Sequence, residues 1–173
     1  AMIDETTEVL RFNSPTFALD KRDTDIKKLL NDVIEDYSGR LSARGIVVVV
    51  KETQLEMRSA RSIDPGRIRE VFDNLVSNAA KYSVANSTLR IFVQHELAAV
   101  LVSFRNRTDE NLGQNKGDFI NWGSRGAMAA QSSIDGFGFG LSIARSLLEA
   151  HGGNLIISSG GEGVYIAEAL VPG

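Results

Sequence analysis

Asn74, Asn78 and Lys81 recur at intervals of four and three in the run Asp73-Asn74-Leu75-Val76-Ser77-Asn78-Ala79-Ala80-Lys81-Tyr82. At about 100° per residue they share one narrow helical stripe, with Arg67 a step further back and Tyr82 at the edge toward the apolar side. Asparagine is a poor helix former because its amide competes with the backbone, so two in mid-helix ask for a reason. Side-chain amides offer neutral oxygens to a hard cation and leave the negative charge to a ligand's phosphates. Mg²⁺ at nucleotide sites is commonly held in this way, by few protein oxygens plus phosphates. A lysine one turn on adds a point charge for the same phosphates. The stripe suits a magnesium nucleotide; for any one of these residues an ordinary solvated helix face is the competing explanation.

A second chemical motif is Gly136-Phe137-Gly138-Phe139-Gly140, which leads into an apolar run from Leu141 to His151. Glycines let a backbone approach an anion closely, and the first free N–H groups of a helix point at it. A flexible loop entering a helix would look the same. A dinucleotide fold is excluded because Ala127 to Asp135 does not read as the strand it needs, and a P-loop because no Gly-Lys-Ser/Thr follows. The motif is expected to close over a nucleotide as a lid.

These motifs must be carried by regular elements. Ile26, Leu29, Leu30, Val33, Ile34, Tyr37 and Leu41 recur at helical spacing after a cap at Asp23 or Thr24, and Gly45 ends the helix. Ile46 to Lys51 is a buried β-branched strand, and Met57 to Ile63 a more polar one. Asp64-Pro65 opens the asparagine helix with a capping carboxylate and a proline at its first position. Leu89–Glu96 and Val100–Asn106 alternate as a hairpin, and Asn154–Ser159 with Val164–Leu170 as another, across Gly160-Gly161-Glu162-Gly163. Between Arg107 and Asp135 every period breaks, over a length that is usually functional or disordered. This order predicts an α+β two-layer sandwich, a mixed or antiparallel sheet of five strands covered by three helices.

Composition narrows the function. The chain has 173 residues, 43% of them hydrophobic, enough for one packed core. A net charge of -3 gives no broad basic field and argues against nucleic acid as the partner. With no cysteine there is no disulfide, thiolate metal site or cysteine nucleophile. The longest apolar run, Ile46 to Val50, falls far below the roughly 20 residues of a membrane span. The opening Ala1-Met2 reads as a tag scar, and residues 1–14 as that scar plus the remnant of an upstream dimerisation helix or linker, leaving 15–173 as the domain.

Taken in order, the asparagine helix, hairpin, long loop, glycine motif and His151-Gly152-Gly153 resemble the catalytic ATP-binding domain of sensor histidine kinases, a Bergerat-type fold. Asp73 to Ser83 is similar to the family's N-box, and Gly136 to Ser142 to its second glycine box. Phe119 to Gly126, with Trp122 and Arg125, resembles the phenylalanine box of the lid, and Asp64 to Ile68 fits the approach to the N-box helix. The resemblance implies ATP held between that helix and the lid. Asn78 would then hold Mg²⁺, Asn74 would assist around the phosphates, Lys81 would contact phosphate and Tyr82 would border the nucleotide. Gly136, Gly138 and Gly140, with Leu141 following, would bring the lid backbone to the phosphates. Hydrolysing relatives such as gyrase-type ATPases carry a glutamate base where Asn74 stands, and an amide cannot take a proton from water at neutral pH. Transfer to an outside nucleophile is therefore expected rather than efficient hydrolysis.

The first glycine box, Asp-x-Gly-x-Gly, departs from the family. Asn106 occupies the place of the aspartate that accepts from the adenine amino group, and Thr108 and Glu110 the places of the glycines. Losing charge assistance costs about 1 kcal/mol and an unpaired pocket group up to about 3, or roughly 10- to 100-fold in affinity. A degenerate, non-catalytic regulatory domain of the same fold is thus the alternative, and an anti-sigma serine kinase a second rival. Of the two histidines, His151 is expected to cap or pack and His95 to be exposed, so no phosphoacceptor is present and the fragment cannot autophosphorylate. Expected partners are the parent's own dimerisation and phosphoacceptor domain and a response regulator. The fragment is expected to be a cytoplasmic monomer and the parent a homodimer, its membrane anchoring left open.

Overall fold

The computed structural model describes residues 18–53, 60–109 and 137–173, the side chains of 137–139 excepted. Gly136, Glu110, the Phe119 to Gly126 segment and the expected scar and linker over residues 1–14 lie outside the described residues.

The chain opens with β1 (Arg22–Asp25), which runs directly into α1 (Ile26–Ala43). The cap is Asp25, whose side chain accepts the Lys28 N–H at 3.1 Å, and neither Asp23 nor Thr24. Those two residues are drawn into β1 by pairing with β3 (Ala60–Ile63), a contact between distant segments. Ile26, Leu30, Val33 and Leu41 bury the helix's apolar face. The helix stops at Arg44, and Gly45 follows with φ +66°. A Cβ there would lie 2.1 Å from Asn86 Oδ1, so glycine is required for both conformation and room.

The main sheet contains β2 (Val47–Thr53), β4 (Thr88–His95), β5 (Ala99–Arg107), β6 (Asn154–Ser159) and β7 (Val164–Pro172), in the order β2-β4-β5-β7-β6. β2 runs parallel to β4 and the other pairs are antiparallel. Among the described residues, the expected α+β sandwich with a mixed five-stranded sheet and three helices is what forms. Of the expected Met57 to Ile63 strand, Ala60–Ile63 is described, and it pairs with β1 in a separate two-stranded sheet.

Helix α2 (Pro65–Tyr82) carries the asparagine stripe and packs between α1 and α3 (Phe137–Ala150). Its face of Ile68, Val71, Phe72, Leu75, Val76 and Ala79 is buried. Each large apolar side chain buried in this way contributes about 1.5–3 kcal/mol. Phe72 meets Phe104 of β5 with ring centroids 6.2 Å apart and planes tilted by 47°, which seats the helix on the sheet. α3 begins at Phe137, four residues before the expected Leu141, so Gly138 and Gly140 lie inside its first turns.

His95 is buried, not exposed. It continues the inward row Leu89, Ile91, Val93 along β4 and is 4% exposed. Its polarity is met by Glu52 of β2, with Nε2 2.9 Å from Oε1, and Lys27 of α1 reaches the other Glu52 oxygen at 2.5 Å. Lys27's hydrogen bond, working against partial desolvation, holds the Glu52 carboxyl below its usual range.

Candidate nucleotide site

The stripe is aimed by the start of α2. Asp64 caps the helix by accepting the Arg67 N–H at Oδ1, and its Oδ2 accepts the Asp20 N–H. The Asp64 N–H donates to His151 Nε2 at 3.1 Å, while His151 Nδ1 is 2.7 Å from the Leu147 carbonyl oxygen. A donor facing Nε2 needs the lone pair there, so the proton sits on Nδ1 and the ring is neutral. Burial pushes the His151 pKa down, consistent with that state. His151 therefore ties the end of α3 to the start of α2, the capping and packing role expected of it.

Four turns on, Asn78 is 7% exposed and its amide nitrogen is buried without a hydrogen-bond partner. A buried, unpaired polar group costs about 1–3 kcal/mol, an expense that a ligand removes. As placed, the unpaired atom is a donor suited to a phosphate oxygen; turning the amide over presents the oxygen to a cation. Asn74 lies one turn back. A Cβ on Gly140 would come to 3.0 Å from Asn74 Oδ1, so the third glycine of the motif packs closely against the asparagine stripe. Leu141 is 4% exposed and belongs to the core.

At the end of α2 the chain meets the end of β5. Asn106 is buried, and its amide nitrogen donates to Ser83 Oγ at 2.9 Å. Ser83 bridges Thr108, the Val84 N–H donates to the Arg107 carbonyl at 2.8 Å, and the Thr108 N–H to the Gly163 carbonyl at 2.7 Å. This knot walls a pocket of about 560 Å³, lined by Lys81, Tyr82, Arg44, Arg107, Thr108 and Asp109 among others. Lys81 is exposed at its rim.

The structure thus brings Asn74, Asn78 and Gly140 together along α2, and Lys81 and Tyr82 together at the pocket with Asn106 behind Ser83. Gly138 lies in the first turn of α3. Arg44 was not anticipated. Its Nη1 donates to the carbonyls of Ala80 and Lys81 at 2.6 and 2.9 Å, a contact across 36 and 37 residues that no local spacing could announce. Among the described residues, no group of three or more acidic or histidine side chains could hold a metal.

Residues 63–170 match the family described as histidine kinase-, DNA gyrase B-, and HSP90-like ATPase, and the chain belongs to that family. Its relatives are sensor kinases. The sensor protein VanS of Enterococcus faecium is 30% identical over 158 residues, which cover 91% of this chain and 40% of that protein. The chain therefore spans less than half the length of the curated relatives it matches. The catalytic domain of histidine kinase ThkA superposes with a TM-score of 0.73 at 21% identity, covering 89% of this chain and 96% of that one. Full-length ShkA in complex with AMPPNP superposes with a TM-score of 0.77 at 21% identity, covering 99% and 36%. ThkA has also been solved in complex with the response regulator protein TrrA, where the TM-score is 0.69 at 22% identity, covering 98% and 47%.

Proposed function

We propose that this chain binds ATP with Mg²⁺ and supplies the γ-phosphoryl group to a histidine on a separate dimerisation domain of a two-component sensor kinase, which then serves a response regulator. The observation that carries this reading is the buried, unpaired amide of Asn78, on the helix where the family holds its nucleotide. Asn78 would meet Mg²⁺ or a phosphate oxygen, with Asn74 beside it. Lys81 would neutralise phosphate charge and Tyr82 would border the base or ribose. Gly138 and Gly140 lie in the first turns of α3, and a helix start of this kind suits an anion. Bound Mg²⁺ would screen the phosphates and orient the transferred group. Asn74 cannot act as a base toward water, which keeps phosphoryl transfer directed at the outside nucleophile.

The ShkA complex, being with AMPPNP, supports a nucleotide as ligand, and the ThkA complex supports a response regulator as partner. A second reading is favoured by one observation. The side chain standing where the family reads adenine is a neutral amide whose nitrogen is committed to Ser83. That arrangement would suit a regulatory domain retaining the fold but binding nucleotide weakly.

Calorimetric titration with AMPPNP, with and without Mg²⁺, separates the two. Magnesium-dependent binding at micromolar to high-micromolar concentration, weakened at least tenfold in Asn78→Ala, is the expected result. No binding up to millimolar nucleotide by folded protein would overturn the kinase reading and leave the regulatory one.

A further inference from the structure

The last turn of α2 ends without the usual closure. Its cap, Ser83, is extended and sends its N–H back to the Ala79 carbonyl. The next N–H, of Val84, goes to Arg107 of β5 instead of to Ala80. The carbonyls of Ala80 and Lys81 are thus left at the negative end of the helix, where a cation is favoured. Arg44 takes both with a single nitrogen.

Arg44 is itself fixed. Its N–H donates to the Leu41 carbonyl as the cap of α1, and its own carbonyl accepts the Asn86 N–H at 2.9 Å. Asn86 in turn packs against Gly45, where no larger residue fits. The guanidinium is therefore a pinned brace between two helix ends and not a loose surface charge.

The brace changes what Lys81 can do. Arg44 holds the backbone that carries Lys81, by the carbonyls of Lys81 itself and of Ala80. Lys81 makes no hydrogen bond or ion pair with the described residues, and it shares the pocket with Arg44 and Arg107. Three cations and one carboxylate, Asp109, line this cavity, an excess of positive charge that favours an anion.

We infer that Arg44 is a positioning residue for the anion-binding end of the nucleotide site: by holding the Ala80 and Lys81 carbonyls it fixes the last turn of α2 and leaves the Lys81 ammonium to a phosphate of the bound nucleotide. This rests on the nucleotide reading above. The test is a double-mutant cycle read by the affinity for AMPPNP with Mg²⁺, using Arg44→Met, Lys81→Met and the double variant. Each single change weakens binding about tenfold, the low end for a charge-assisted hydrogen bond. If Arg44 acts through Lys81, the double variant is also about tenfold weaker. Additive losses of about 100-fold, or wild-type affinity in Arg44→Met, overturn the inference while leaving the nucleotide reading intact. No binding by the wild type overturns both. Arg44→Lys, which keeps a charged donor, retains part of the affinity and carries the same cycle if Arg44→Met does not fold. A partial Arg44→Lys loss that disappears in the Lys81→Met background supports the inference. An Arg44→Lys loss that persists in full without Lys81 counts against it.

Discussion

The two ends of the sheet handle buried polarity in opposite ways. At the end formed by the β4–β5 turn, Arg61 is 6% exposed and its fork reaches the carbonyls of Glu96, Leu97, Ala99 and Gly173. Nearby, Lys27, Glu52 and His95 form a chain in which cation faces carboxylate. One nitrogen in each group, Arg61 Nε and His95 Nδ1, stays unpaired, but the charges and most donors are matched inside the protein. At the other end Asn78 keeps a buried amide unpaired, and Arg44, Lys81 and Arg107 gather at one pocket. The first end closes the structure on itself. The second sets an unpaired amide and an excess of cations over the Asp109 carboxylate beside one cavity, and the proposed nucleotide site rests on that contrast.

Mutations sharpen the contrast. The largest effect on stability is expected from Arg61→Ala, which strands several buried carbonyls at about 1–3 kcal/mol each, for a loss of about 3 kcal/mol or more. Denaturant unfolding measures it, and AMPPNP affinity extrapolated to the folded fraction is expected to be unchanged. If Arg61→Ala costs under about 1 kcal/mol, the clamp end is not what holds the turn. Asn78→Ala should behave in the opposite sense, with stability kept or slightly raised because the unpaired amide is gone, and nucleotide binding lost. An intermediate effect is expected from Asn106→Asp. Restoring a charged acceptor should tighten AMPPNP binding about tenfold, provided the carboxylate keeps the Ser83 hydroxyl as its donor. Unchanged or weaker binding would mean that the adenine side of the pocket is not read by this position.

The smallest effect concerns the link between the two ends, His151. Burial lowers its pKa in the folded chain, so as pH falls below about 6.5 the unfolded chain takes up the proton first. Stability contributed by the neutral ring is therefore complete above that pH and declines on acidification, levelling off below the folded pKa. Protonation would also set an N–H on Nε2 against the Asp64 N–H. The melting temperature is expected to drop between pH 7.5 and 5.5, and to drop less in His151→Gln. An equal slope in both proteins would remove His151 as the cause.

Much of the site was legible because it is local. The cap at Asp64, the proline after it and the apolar face of α2 place Asn74, Asn78 and Lys81 by helical arithmetic alone. The β4–β5 and β6–β7 hairpins follow from alternation between turn residues. The misplacements have non-local causes. The cap of α1 moved to Asp25 because β3 recruits Arg22 to Asp25 into a strand. α3 runs from Phe137 through two glycines that its own sequence disfavours, and Gly140 there packs closely against Asn74 of α2. His95 looked like a polar surface position, although its phase along β4 already pointed inward.

From the sequence alone came the fold class, the family and the stripe of side chains that could meet a nucleotide, since periodicity and capping act over a few residues. Tertiary structure alone decided that Glu52 would meet His95, that Asn106 would lean on Ser83 and that Arg44 would brace the end of α2. Each of those contacts joins residues 23 to 43 positions apart. Which partner a buried polar group finds at such a distance depends on how the sheet and helices pack, and no spacing along the chain encodes it.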